Sequence, residues 1–100
     1  MRDQKLAAEN VRERMGTLTE WELSDDGLSI RRDFAFRDFA EAFGFMAECA
    51  VVAEKLNHHP EWFNVYRRVE VCLTTHDSGG LTARDFDLGL AMDRIAARRV

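Results

Sequence analysis

The sequence is short of most things that mark a special class of protein. Its two cysteines, Cys49 and Cys72, lack the spacing of a zinc or redox motif and are too few for a disulfide scaffold. Each lies in an apolar segment and reads as a buried thiol of a cytoplasmic protein. Pro60 is the only proline and there are six glycines, so no stretch reads as an interdomain linker. No internal repeat or low-complexity tract is present. No run approaches the ~20 apolar residues of a membrane span. The Met1-Arg2-Asp3-Gln4-Lys5 start leads into no signal-peptide core. Basic residues are outnumbered, 14 Lys and Arg against 18 Asp and Glu. The net charge of −4 argues against direct nucleic-acid binding. Histidine is scarcer still: His58, His59 and His76 are the three in the chain.

What remains is a balanced chain of 100 residues, the size of one domain spanning 1–100. The segment Asp3 to Arg14 places Leu6, Ala7, Asn10 and Val11 on one side and reads as a short helix ended near Gly16. Trp21 and Leu23 then alternate with Glu20 and Glu22. After Asp25-Asp26-Gly27 the alternation resumes, with Leu28, Ile30, Phe34 and Phe36 facing one way and Arg32 interrupting that face. Two strands joined at Asp-Gly follow from this pattern. Phe39, Phe43, Met46, Ala50 and Ala53 recur at helical steps, and Asp38 with Glu41 reads as a capping box. That helix should end near Leu56, and Gly44 inside it predicts another backbone packed close. Phe63, Val65, Val69, Val71 and Leu73 share one parity, as one long strand or as two joined at Arg67-Arg68. Asp77 to Gly80 is a loop. Thr82 reads as the N-cap of a last helix from Ala83 to Arg98, with Asp85 at its third position and Leu81 and Phe86 as a hydrophobic staple. Strand pairs separated by helices predict an α+β two-layer sandwich with an antiparallel sheet.

The chemistry-bearing residues gather around the histidines. A residue before proline is pushed out of helical geometry, so His58 and His59 sit at a helix-to-strand junction. His76 follows the second strand segment, and a hairpin brings its end back to the helix exit, where the three imidazoles can meet. Imidazole exchanges protons near neutral pH, which points to acid–base chemistry. Surface or helix-end histidines are the plain alternative. A metal site is a third reading, but adjacent residues of an extended chain point apart, and no His-x-x-x-His pair occurs. Trp21, Trp62 and Tyr66 can stack on a flat heterocycle or serve as core. Phe34, Phe36, Phe39, Phe43 and Phe86 read as core; Arg67-Arg68 and Arg98-Arg99 read as solvated. No Gly-x-Ser-x-Gly elbow and no phosphate-gripping glycine loop is present.

The run Glu54-Lys55-Leu56-Asn57-His58-His59-Pro60-Glu61-Trp62-Phe63-Asn64-Val65-Tyr66, followed by Leu73-Thr74-Thr75-His76, Gly79-Gly80-Leu81-Thr82 and Asp85, resembles the pterin-4a-carbinolamine dehydratase family. The strict pattern covers Glu54 to Asp85, and weaker similarity reaches back to Trp21 and forward to Ile95. The resemblance implies an N-terminal helix followed by ββαββα with a four-stranded antiparallel sheet, assembled as a homodimer or homotetramer. It implies dehydration of a 4a-hydroxytetrahydropterin to the quinonoid dihydropterin, with no metal or redox cofactor. This step recycles the cofactor of aromatic amino acid hydroxylases, so a functional link to a phenylalanine hydroxylase is expected. By the same resemblance His58, His59 and His76 line the pterin site as its catalytic residues. The resemblance does not divide their roles; our own assignment gives proton transfer to His58 and His76 and pterin holding to His59. Glu54, Trp62, Thr75, Trp21 and Asp85 are expected around the substrate. Some relatives instead act as dimerisation cofactors for a homeodomain transcription factor, which leaves a non-catalytic binding module as the alternative. Two positions depart from the family pattern. Asn57 stands where many members have an acid, and Gly89, where alanine is frequent, is expected to loosen the last helix or its oligomer contact.

Overall fold

Four antiparallel strands in the order β1-β2-β4-β3 form one layer. Two long helices form the other. The computed structural model describes residues 3–99, in the order α1 (Ala8–Met15), β1 (Glu22–Leu23), β2 (Ile30–Ala35), α2 (Phe39–Leu56), β3 (Glu61–Val65), β4 (Arg68–Leu73) and α3 (Ala83–Ala97). The α+β sandwich with ββαββα after a first helix is the architecture expected from the sequence.

The register explains which residues are inside. Ile30 pairs with Leu73, Arg32 with Val71 and Phe34 with Val69, and these face the helices. Ile30, Phe34, Val69, Val71 and Leu73 are buried there against Phe45, Cys49, Leu88 and Met92. The chain turns at Tyr66-Arg67, one residue before the expected place, with Val65 opposite Arg68. That turn shifts the parity of β3. Phe63 and Val65 therefore lie on the open face, paired with Glu70 and Arg68, while Trp62 and Asn64 face inward. Phe63 and Val65 are exposed, so the single apolar parity drawn through 63–73 does not hold.

The face of α2 also differs from expectation. Ala42, Phe45, Cys49 and Ala53 point to the core. Phe39 and Phe43 are 49% and 56% exposed, and Ala50 is exposed too. The helix is apolar on nearly every side, so a period of 3.6 fits two faces equally well. Gly44 meets no backbone; the Arg99 guanidinium lies against it and donates to its carbonyl at 3.2 Å. Arg99 also reaches Glu48 at 2.8 Å, and Arg98 pairs with the same carboxylate. The arginine tail is therefore not simply solvated: it ties the end of α3 to the first half of α2.

The first helix begins five residues later than expected, at Ala8. Before it the chain is extended, and the Leu6 amide donates to the Leu81 carbonyl at 2.8 Å, so this segment is pinned to the loop preceding α3. Gly89 packs into the core: a Cβ there would stand 3.1 Å from Leu18 Cδ1. It serves close packing on Leu18 and Leu73, not a loosened outer face. Cys49 is fully buried as expected, but Cys72 lies on the open face of the sheet and is half-buried. Desolvation, helped by the Glu48 carboxylate and opposed by Arg99, pushes the Cys49 thiol up to about 12.

Candidate active site

The direction of each element brings four chain ends to one edge of the sandwich. The antiparallel register puts Leu73, the end of β4, beside Ile30 and puts Cys72 beside Glu61, the start of β3. α2 carries the chain back to Glu61 from the opposite end of the sheet, and α3 starts again at the loop that follows β4. The exit of α2, the start of β3, the end of β4 and the start of α3 therefore converge.

The exit of α2 is fixed by a Schellman motif. Asn57 takes the left-handed conformation at φ +52°, its amide donates to Glu54 O at 3.1 Å, and the His58 amide donates to Ala53 O at 3.0 Å. Asparagine is one of the few residues with a side chain that visits this region readily. Asn57 is thus suited to the backbone turn it makes. Pro60 then sends the chain into β3, as expected.

Asn57, His58, His59, Thr74, Thr75, His76 and Asp77 line one cleft of about 240 Å³. The three imidazoles are brought together as the hairpin argument anticipates, and each carries its own carboxylate. His58, 8% exposed, holds Asp85 Oδ1 at 2.5 Å through Nε2. His59, exposed, holds Glu54 Oε1 at 2.7 Å through Nε2. His76, exposed, holds Glu61 Oε2 at 2.5 Å through Nε2. In all three rings Nδ1 is the nitrogen left for another partner. A carboxylate accepting from Nε2–H leaves the neutral ring with a lone pair on Nδ1, and the protonated ring with a proton to give there.

Asp85 is fully buried and fully used. Its Oδ2 accepts from Thr75 Oγ1 at 2.8 Å and from the Thr82 amide at 2.9 Å. The second of these is the returning half of the capping box anticipated at Thr82. The Thr75 and Thr82 hydroxyls stand 2.9 Å apart. One aspartate thus starts α3, holds Thr75 at the cleft wall and orients the His58 ring. The loop after β4 begins with a 3-10 turn, His76–Ser78, closed by Gly79 at φ +76°. A second cavity of about 370 Å³ shares Thr74, His76 and Glu61 with this region and extends toward Cys72 and Ser29.

Six of the eight residues singled out from the sequence meet here: His58, His59, His76 and Thr75 on the cleft wall, and Glu54 and Asp85 behind the rings. Two stand apart. The Trp21 indole is buried in the core, edge-on to Phe34, and donates to Asp93 Oδ1 at 2.8 Å. Trp62 lies opposite Val71 and packs against the core. Sequence reasoning named Glu61 in the family run and Thr82 as an N-cap but gave neither a place in the site. Glu61 follows Pro60 at the start of a strand, and a hairpin returning to His76 is the signal that could have found it. Arg32, which interrupts the apolar face of β2, is paired with Asp93 at 2.6 Å over the Phe34 ring. It borders a larger cleft of about 540 Å³ at the other end of the sheet, whose arginines are engaged by Asp93, Glu41 and Glu48. Among the described residues no group of three His, Cys, Asp or Glu side chains is placed to hold a metal ion.

Comparison with known proteins shows the family and the fold. The family model described as pterin 4 alpha carbinolamine dehydratase matches residues 4–95. A protein of Sinorhizobium fredii is 56% identical over 100 residues, covering 100% of this chain and 95% of that one. A protein of Rhizobium etli is 54% identical, covering 100% and 99%. Both bear the name pterin-4-alpha-carbinolamine dehydratase provisionally. A solved structure, a transcriptional coactivator/pterin dehydratase from Brucella melitensis, has a TM-score of 0.89 at 45% identity and covers 93% of this chain and 99% of that one. A pterin dehydratase-like protein identified as a RuBisCO assembly factor in the alpha-carboxysome has a TM-score of 0.66 at 19% identity, covering 77% and 89%, a likeness of fold alone.

Proposed function

Because the chain belongs to the pterin 4 alpha carbinolamine dehydratase family, we propose that its histidine cleft dehydrates a 4a-hydroxytetrahydropterin to the quinonoid dihydropterin. The observation that carries this reading is three imidazoles on one cleft wall, each oriented by a separate carboxylate. In the reaction the C4a–O bond breaks with its electron pair and the hydroxyl, protonated by an acid, leaves as water. The N5 lone pair forms the new C4a–N5 double bond, and the N5 proton passes to a base. One proton is given and one is taken, so two imidazoles in opposite protonation states complete the cycle without a net change. His58 and His76 are assigned to these proton transfers. His59 and Thr75 hold the pterin, and Glu54 and Asp85 keep their rings in place. Trp21, occupied in the core, and Trp62, half-buried against it, are left outside the proposed site. The chemistry needs neither a metal nor a redox cofactor.

The step fits recycling of the pterin used by an aromatic amino acid hydroxylase, in the cytoplasm. Among the described residues no helix is long and apolar enough to cross a membrane. The test generates the carbinolamine with a phenylalanine hydroxylase and follows its disappearance. Added protein should raise the rate, and His58→Ala or His76→Ala should remove about 10²–10⁴-fold of the acceleration. An unchanged spontaneous rate would refute the proposal, and full activity in either variant would refute that histidine's role.

A second reading rests on the exposed apolar stripe of α2, formed by Phe39, Phe43 and Val51. That stripe suits a helix-to-helix contact, as a homo-oligomer or as a non-catalytic binding module for another protein. A defined protein complex formed through this stripe, with no turnover in the hydroxylase assay, would favour the module.

A further inference from the structure

The helix exit that delivers His58 is gripped from outside the motif. Arg84, in the first turn of α3, donates through Nη1 to the Leu56 and Asn57 carbonyls, both at 3.1 Å. The last carbonyls of a helix have no intrahelical partner and lie at the negative end of its dipole, so a guanidinium there meets two needs at once. The Nε of the same guanidinium lies 2.5 Å from Asp3 Oδ2. Asp3 is tied in turn to the loop that carries His76, because Ser78 Oγ donates to its carbonyl. Asp85, the next residue after Arg84, holds the His58 ring. The first turn of α3 therefore grasps His58 twice: at the backbone just before it, and at its imidazole.

We infer that Arg84 is a positioning residue for His58, and that the extended N-terminal segment, acting through Asp3, is part of the same clamp. The role in catalysis rests on the reading of the cleft as a dehydratase site; the effect on the His58 ring does not. Arg84 bonds to the Leu56 and Asn57 carbonyls and to Asp3, and to none of the three imidazoles, so its influence must pass through the helix exit. A fork-shaped cation fits this place because one face reaches two carbonyls while Nε meets the carboxylate. An ammonium is a single point and can satisfy only part of the set.

The test uses the full chain and three variants, Arg84→Met, Arg84→Lys and Asp3→Ala. Met keeps the aliphatic stem and removes the donors. The His58 ring is followed by NMR in the substrate-free protein, with core methyl signals of Ile95 and Leu88 as the control for folding. In Arg84→Met the His58 ring signals should shift or broaden while the core signals stay in place. In the carbinolamine assay kcat should fall about tenfold with KM within twofold, because geometry and not binding is lost. Arg84→Lys should recover part of kcat. Asp3→Ala should give a smaller loss of the same kind, and it reports on the clamp even if the Arg84 variants fold poorly. Unmoved His58 signals in folded Arg84→Met and Asp3→Ala would overturn the clamp whatever the activity does. Shifted signals with unchanged kcat would overturn its catalytic role. If the unaltered protein shows no turnover, the proposed reaction fails, while the ring signals still decide the clamp.

Discussion

A carboxylate sealed from water must have its lone pairs occupied, and Asp85 meets that demand with the His58 ring, the Thr75 hydroxyl and the Thr82 amide. Removing it by Asp85→Ala leaves three buried partners unmet. It should cost about 3 kcal/mol in a urea melt, besides abolishing the orientation of His58. Asp85→Asn keeps the shape and should cost less stability, yet still lower turnover because an amide cannot serve the ring and both Oδ2 donors alike. Cys49 behaves differently because burial and the Glu48 carboxylate disfavour its thiolate more than Arg99 favours it. Its raised value means that the unfolded chain loses the thiol proton first, near the ordinary value of 9.0, and the folded chain only at about 12. Stability from this group is fully present below pH 9 and is lost as the pH rises through that window. The loss should reach about 1.4 kcal/mol by pH 10, and Cys49→Ala should remove that alkaline slope from melts taken at pH 8 and pH 10.

At the scale of the element, the histidine cleft was legible because its parts are local. The helix stop before Pro60, the strand that returns at His76 and the cap at Thr82 are each written within a few residues. What could not be read was the facing of elements that are apolar on two sides. On α2, Phe39 and Phe43 repeat as regularly as Ala42, Phe45 and Cys49, and only the sheet decides which set it covers. On β3, one residue of difference in the turn moves Phe63 to the other face. Trp21 looked like a ring for stacking because its partner, Asp93, lies 72 positions away. The facings now make a contrast that melts can check. Phe45→Ala should cost about 3–5 kcal/mol, as expected for a fully buried ring. Tyr66 sits at φ +53° with an exposed side chain, where glycine carries no steric penalty, so Tyr66→Gly should raise stability by about 0.5–1 kcal/mol.

For the molecule as a whole, the apolar stripe of α2 and the exposed edge strand β3 leave surface that association would cover. Light scattering at micromolar concentration should give a mass that is a multiple of 11.5 kDa. Phe43→Asp should lower that mass without unfolding the chain. The three carboxylates that orient the histidines come from α2, β3 and α3, and no one of those elements can hold the cleft in shape by itself. The proposed dehydratase site is therefore a cooperative property of the chain. As urea is raised, turnover should vanish on the same curve as the emission of Trp21 measured in a Trp62→Phe background, since the Trp21 indole reports the docking of α3 through Asp93. No partly folded form should retain activity, so the rate assay doubles as a census of intact molecules in any preparation.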